Sequence, residues 1–156
     1  GVQTCALPIC DKKVVVVPTR SIMQAITALI AYDPEGETEE IAAAMIDEMQ
    51  QVKYAEVTHA VRDSSINGLS IKDGDIIGIL NSEITVTGSS PEDVLLRLLE
   101  QMVDNDSSLI TFFFGDEISE DTASQLNDNI VERYSDCDVE YHFGGQPHYS
   151  YLISVE

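Results

Sequence analysis

The apolar residues of this chain fall into runs whose period changes along its length. Val14 to Val17 is an unbroken β-branched run, the pattern of a strand buried on both faces of a parallel sheet. Pro18 ends it. Ser21 and Gln24, three positions apart, predict a capping box that opens a helix, and Ile22, Ile26, Leu29 and Ile30 share one face of that helix. After the turn Asp33-Pro34-Glu35-Gly36, a second helix is predicted from near Thr38, with Ile41, Met45, Met49 and Val52 on one stripe and acids on the other. The short break makes the two helices neighbours.

From Tyr54 the period becomes two. Ala55, Val57, His59 and Val61 alternate with Tyr54, Glu56, Thr58 and Ala60, which predicts a half-buried strand. Asp73-Gly74 is a turn signal, after which residues 76–80 (IIGIL) and 84–88 (ITVTG) read as a hairpin across Asn81-Ser82-Glu83. Ser90 as N-cap and Pro91 at the first helical position start a helix that carries Val94, Leu95, Leu98, Leu99 and Met102 inward. Residues 108–115 (SLITFFFG) form an apolar strand, and Ser119 begins a helix presenting Ala123, Leu126, Ile130 and Tyr134. Val139, Tyr141 and Phe143 alternate in a further strand, and residues 151–155 (YLISV) supply the last. The fold class is α/β: a truncated parallel βα subdomain over residues 11–52, followed by a mixed α/β subdomain with hairpins over 53–156, the boundary lying where the pattern changes near Lys53.

Charge narrows the range of partners. Eight Lys and Arg stand against 28 Asp and Glu, a formal net charge of −20. That argues against nucleic acid, whose phosphates need clustered bases. Spread evenly over a chain of 156 residues, the excess acids would lie roughly 20 Å apart, beyond a Debye length of about 8 Å, and would steer nothing. They are not even. From Asp33 to Glu48 there are seven acids and no base, and from Pro91 to Glu140 fourteen acids accompany only Arg97 and Arg133. Clusters of this kind either attract a basic partner or serve as a solvated, solubility-promoting surface. No apolar stretch approaches the ~20 residues that cross a bilayer.

The opening nonapeptide GVQTCALPI has neither charge nor periodicity and resembles the translation of a sequencing-library adapter. Residues 1–10 are therefore read as a non-native or disordered leader, set aside from the fold. That leaves Cys137 as the native cysteine and argues against a disulfide framework. Its neighbours Asp136 and Asp138 should raise the thiol pKa, which suits no nucleophile. No phosphate-binding glycine loop is present, and the three histidines, His59, His142 and His148, have no metal-ligand spacing. No catalytic residues and no metal ligands are expected.

Three segments stand out. Thr19-Arg20-Ser21 lies where a predicted strand hands over to a helix N-terminus, a place suited to an anion, although a plain cap explains it as well. Gly144, Gly145 and Gln146 open the run GGQPHYSY, a tight connection between strands that also reads as a docking loop, since Tyr offers contact area at low entropy cost. Arg62-Asp63-Ser64 is the weakest of the three.

Three blocks carry a resemblance. VVVVPTRSIMQAITALIAYDPEGETEEI, THAVRDSSINGLSIKDGDIIGIL and GGQPHYSYLISVE, in this order and covering most of 11–156, resemble the C-terminal region of the large subunit of bacterial two-component fatty acid kinases, whose N-terminal domain is dihydroxyacetone-kinase-like. Glu35 to Ile41 is also similar to the DegV-like fatty-acid-binding family. The resemblance implies a cytoplasmic protein whose ATP and magnesium belong to an N-terminal domain outside this sequence, with no cofactor here. It also implies a noncatalytic domain that docks a fatty-acid carrier protein, so that the kinase domain can phosphorylate the fatty acid to an acyl phosphate. The acidic bias suits a basic patch on that carrier. Glu37, Glu39, Glu40, Asp47 and Glu48 form one candidate surface, and Asp116, Glu117, Glu120 and Asp121 another, with Gly144, Gly145 and Gln146 as a docking loop. The alternative is a DegV-like lipid-binding module with Thr19, Arg20 and Ser21 on the fatty-acid carboxylate.

Overall fold

Alternation of the Ala55, Val57 type gives a sheet one wholly apolar face, and that face organises the molecule. The computed structural model describes residues 14–66 and 68–156. Six strands form one sheet: β1 (Lys53–His59), β4 (Ile76–Leu80), β5 (Glu83–Gly88), β6 (Leu109–Phe114), β7 (Asp138–Phe143) and β8 (Tyr149–Val155), in the order β5-β4-β1-β8-β6-β7. All neighbours are antiparallel except β6 and β7. A separate hairpin pairs β2 (Ser64–Ile66) with β3 (Leu69–Ile71). The helices are α1 (Ile22–Ile30), α2 (Thr38–Gln51), α3 (Pro91–Met102) and α4 (Glu120–Arg133).

The main core lies between the sheet and α3 and α4. Ala55, Val57, Phe112 and Ile153 on the strands are fully buried against Val94, Leu95, Leu98 and Leu99 of α3 and Ala123 and Ile130 of α4. Each such aliphatic side chain contributes roughly 1.5–3 kcal/mol by leaving water. Both helices start as their sequences dictate: Ser90 Oγ accepts from the Asp93 N–H at 3.1 Å, and Ser119 Oγ from the Thr122 N–H at 3.1 Å. Tyr151 is also fully buried, and its hydroxyl donates to Glu92 Oε1 at 3.0 Å, tying β8 to the first turn of α3. Tyr141 stacks on Phe112 from the edge strand, with ring centroids 5.6 Å apart.

The opposite face carries α1 and α2, packed on each other as a hairpin. Met23 lies against Tyr54 and Leu152, with Phe113 beside them. Gln24 Nε2 donates to the Met49 carbonyl at 3.4 Å, and Thr27 Oγ1 to Glu156 Oε1 at 3.1 Å.

Four expectations need correction. Val14 to Val17 forms no strand: the sheet ends at β5 and β7, neither of which lies beside it, and a strand without a lateral partner leaves its amides to water. The helix after Pro18 forms with Ser21 Oγ accepting from the Gln24 N–H as the box predicts, but Gln24 Oε1 reaches back to the Arg20 N–H, and the helix turns its aliphatic stripe outward. Met23, Thr27 and Ala28 are buried instead. Val61 lies past the end of β1, and Phe143 at the end of edge strand β7; both are exposed, because alternation predicts burial only where a layer covers the strand. Of the stripe expected on α2, Met49 is buried and Ile41 and Met45 only half-buried, with Ala42 closest to the sheet side. The leader assigned to residues 1–10, with Cys5 and Cys10, lies outside the described residues.

Candidate functional site

β6 and β7 run parallel and are joined by α4, so their C-terminal ends open at the same edge of the sheet. That edge is where segments following parallel strands gather into binding sites. Gly115, Asp116 and Glu117 follow β6; Gly144, Gly145 and Gln146 follow β7. The two loops interlock. The Gly144 N–H donates to the Phe114 carbonyl at 3.0 Å, the Gly115 N–H to that of Ser150 at 2.9 Å, and the Asp116 N–H to that of Gln146 at 3.3 Å. Gln146 Nε2 donates to the Phe113 carbonyl at 3.2 Å, closing the junction from the side-chain direction.

The returning loop is held in a costly shape. Gly145 has φ +63°, and His148, which is not a glycine, has φ +69°. The His148 carbonyl is fixed by the Thr58 hydroxyl at 2.6 Å. A side chain kept in the left-handed region persists where its surroundings over-determine it, and such positions gather at binding sites.

Above this junction lies an open groove of about 680 Å³, lined by Phe114, Ile118, Glu120, Tyr141, His142 and Phe143. Phe143 is 67% exposed, and its ring centroid sits 5.4 Å from that of Phe114. Asp116, Glu120 and Asp121 are exposed around the start of α4. Glu120 and Asp121 stand in the first turn of α4, where they also complement the helix dipole. The surface thus combines an exposed aromatic floor, an acidic rim and a rigid backbone loop. It offers no nucleophile and base in contact, and among the described residues no set of three or more His, Cys, Asp and Glu could hold a metal ion.

Glu117 differs from its neighbours. Its Oε1 accepts from the fully buried Ser150 hydroxyl at 2.6 Å and lies 4.0 Å from His59 Nδ1. It therefore braces β8 against the loop after β6. This contact joins residues 33 positions apart, so no local pattern announced it.

The two predicted acidic surfaces do not merge. α1 meets Glu156, beyond the C-terminal end of β8, whereas Glu117 meets Ser150 near the start of the same strand. The seven residues of β8 separate those ends by roughly 20 Å, more than two Debye lengths. Glu37, Glu39, Glu40, Asp47 and Glu48 all belong to α2 or its cap, on the α1 side of the sheet. The structure brings Asp116, Glu117, Glu120 and Asp121 together with Gly144, Gly145 and Gln146, and leaves the α2 acids apart.

Thr19, Arg20 and Ser21 lie beside an open cleft of about 500 Å³, lined among others by Arg20, Gln24, Lys53, Tyr54 and Asn81. Ser21 spends its hydroxyl on the α1 cap. The strand that would have aimed this turn is missing, so the βα geometry proposed for an anion is not formed. Arg62 and Asp63 sit between β1 and the β2–β3 hairpin, where Asp63 Oδ1 accepts from the Asp73 N–H at 2.8 Å. Burial first, then Asp136 and Asp138, pushes the Cys137 thiol pKa up. The direction is the one expected, but burial is the larger cause.

Comparisons with known proteins fit this architecture. The family of FakA-like C-terminal domains, from fatty acid kinases, matches residues 3–156. Protein YloV of Bacillus subtilis (strain 168) is 38% identical over 151 residues, which is 97% of this chain and 27% of YloV. Uncharacterised proteins of Staphylococcus aureus strains MRSA252 and USA300 are likewise 38% identical over 97% of this chain and 28% of their own length. The chain thus spans little more than a quarter of the curated relatives it matches. With a family match over nearly its whole length, the chain belongs to the FakA-like C-terminal family of fatty acid kinases.

Proposed function

We propose that this domain is the docking module of a fatty acid kinase, binding a fatty-acid carrier protein while phosphorylation of the fatty acid takes place in another part of the longer chain. The observation that carries the reading is the edge beyond β6 and β7, where an exposed aromatic groove, an acidic rim and a braced glycine loop share one surface. Exposed aromatics in a groove supply binding energy, and rim charges select the partner's sign and speed encounter. A carrier with a basic patch meets both requirements. Tethering it beside a kinase domain raises its effective concentration to the mM range for a short linker.

The test is affinity for the cognate carrier, measured on the full-length protein while ionic strength rises. A dissociation constant that weakens between about 50 and about 500 mM salt supports docking through these acids; an unchanged one rejects it. Asp116→Asn, Glu120→Gln and Asp121→Asn together should slow association and flatten the salt dependence. Neutralising Asp47 and Glu48 should leave both unchanged. Glu117 is left intact because its loss would strand Ser150.

A further inference from the structure

We propose that the outward faces of α1 and of the Val14–Val17 run are covered, in the longer protein, by the chain segment that precedes this sequence. That segment lays a β-strand beside Val14–Val17 and apolar side chains over Ile22, Ile26, Leu29 and Ile30. The proposal is independent of carrier docking and concerns the opposite end of the fold.

Helix α1 is apolar on both faces. It buries Met23, Thr27 and Ala28 against the sheet and α2, yet Ile22, Ile26, Leu29 and Ile30 remain 57%, 41%, 62% and 71% exposed. Spaced at i, i+4, i+7 and i+8, these four form one continuous stripe. It amounts to roughly 450 Å² of aliphatic surface on a single short helix, as much as the largest patch on a whole ordinary monomer. A helix apolar all round belongs in the interior of a larger structure.

The Val14–Val17 run carries the same message in strand form. Four consecutive β-branched residues suit a strand with neighbours on both faces, but Val14, Val15 and Val16 are 41%, 43% and 51% exposed, and no described strand pairs with them. Sequence pattern and structure conflict at these two elements together, and the conflict disappears if a further strand and its layer are added here.

Three observations identify the occupant. The matching family is a C-terminal one, and the chain spans 27–28% of its relatives, so most of a relative lies outside the matched region. The uncovered elements come first among the described residues, where a preceding segment would enter, and such a segment acts at intramolecular concentration. A second copy is disfavoured because each copy carries a net charge of −20.

The experiment uses the longer natural chain. Ile26→Cys and Leu29→Cys are alkylated under native conditions, with Val131→Cys on α4, 47% exposed, as an uncovered helical reference, and labelling is read by peptide mass. Alkylation at positions 26 and 29 should be at least about tenfold slower than in denaturant, since labelling then requires local opening. Rates at those sites equal to the denatured rate overturn the proposal. Protection that disappears on dilution from about 100 to about 1 µM assigns the cover to a second copy and overturns it equally. In the unsubstituted chain, the amides of Val14–Val17 should be protected from hydrogen exchange by strand pairing. Exchange at the random-coil rate there removes the proposed strand.

Discussion

Gly115→Ala tests whether the junction between the loops after β6 and β7 is as tight as its geometry implies. A Cβ at Gly115 would overlap the Tyr149 carbonyl oxygen and lie 2.8 Å from that of Gln146. Both are backbone atoms, and carbon and oxygen approach no closer than roughly 3.3 Å in weakly favourable contacts. The loops must therefore part by the better part of an ångström. Parting stretches the Gly115–Ser150 bond, now 2.9 Å, and the Asp116–Gln146 bond, already 3.3 Å, past useful length. Two such bonds are worth about 0.5–1.5 kcal/mol each, and overpacking strain adds about 1–3 kcal/mol. The expected loss is about 3 kcal/mol, or roughly 6–12 °C in Tm for a chain of this size. Urea denaturation followed by far-UV circular dichroism reads it directly. Gly144→Ala is the internal control, because there the added Cβ meets mainly the end of the flexible Gln146 side chain. It should cost no more than the hydrogen bonds of that amide, about 1 kcal/mol. If Gly115→Ala costs less than Gly144→Ala, the junction yields and the loop is not rigid.

Three other outcomes are expected. Tyr151→Phe deletes the hydroxyl bonded to Glu92 but keeps the packing, and because Glu92 is reachable by water the loss should be about 1 kcal/mol with an unchanged denaturant m-value. Glu117→Ala leaves the buried Ser150 hydroxyl without its acceptor and should cost about 1–3 kcal/mol, whereas Glu120→Gln, at an exposed site on the same rim, should cost well under that; equal losses would contradict the bracing role. Burial raises the pKa of half-buried Glu56, so the folded state holds that proton more tightly than the unfolded chain, and stability from this group falls as pH rises through the raised value. Glu56→Gln should therefore stabilise the protein at pH 7, and the gain should vanish below about pH 4, where the carboxyl is protonated in both states; a gain independent of pH would remove burial of charge as its cause.

The acidic rim shows how far charge counting reaches. Asp116, Glu117, Glu120 and Asp121 are close in sequence, so their clustering was legible, and so was the turn character of Gly144–Gln146. Their meeting was not, since it depends on β6 and β7 being parallel neighbours joined by α4, a pairing between residues about 30 apart. The division of labour within the rim, with Glu117 braced on Ser150 and the others turned to water, was also hidden. Nor did the sequence reveal that Phe143 would be exposed, because alternation marks which side a residue faces and not whether a layer covers it.

Local chemistry alone determined the starts of α1, α3 and α4, the turn between β4 and β5, the inward stripe of α3 and the α/β class. Caps, turns and periodicity act over a few residues, so the chain carries them wherever it folds. Tertiary structure decided which apolar faces found partners. Val14–Val17 has strand chemistry and α1 has two apolar faces, but a strand exists only beside another strand, and a stripe becomes core only beneath another layer. Those neighbours come from distant parts of the chain, and their positions are set by the packing of the whole rather than by the residues they cover.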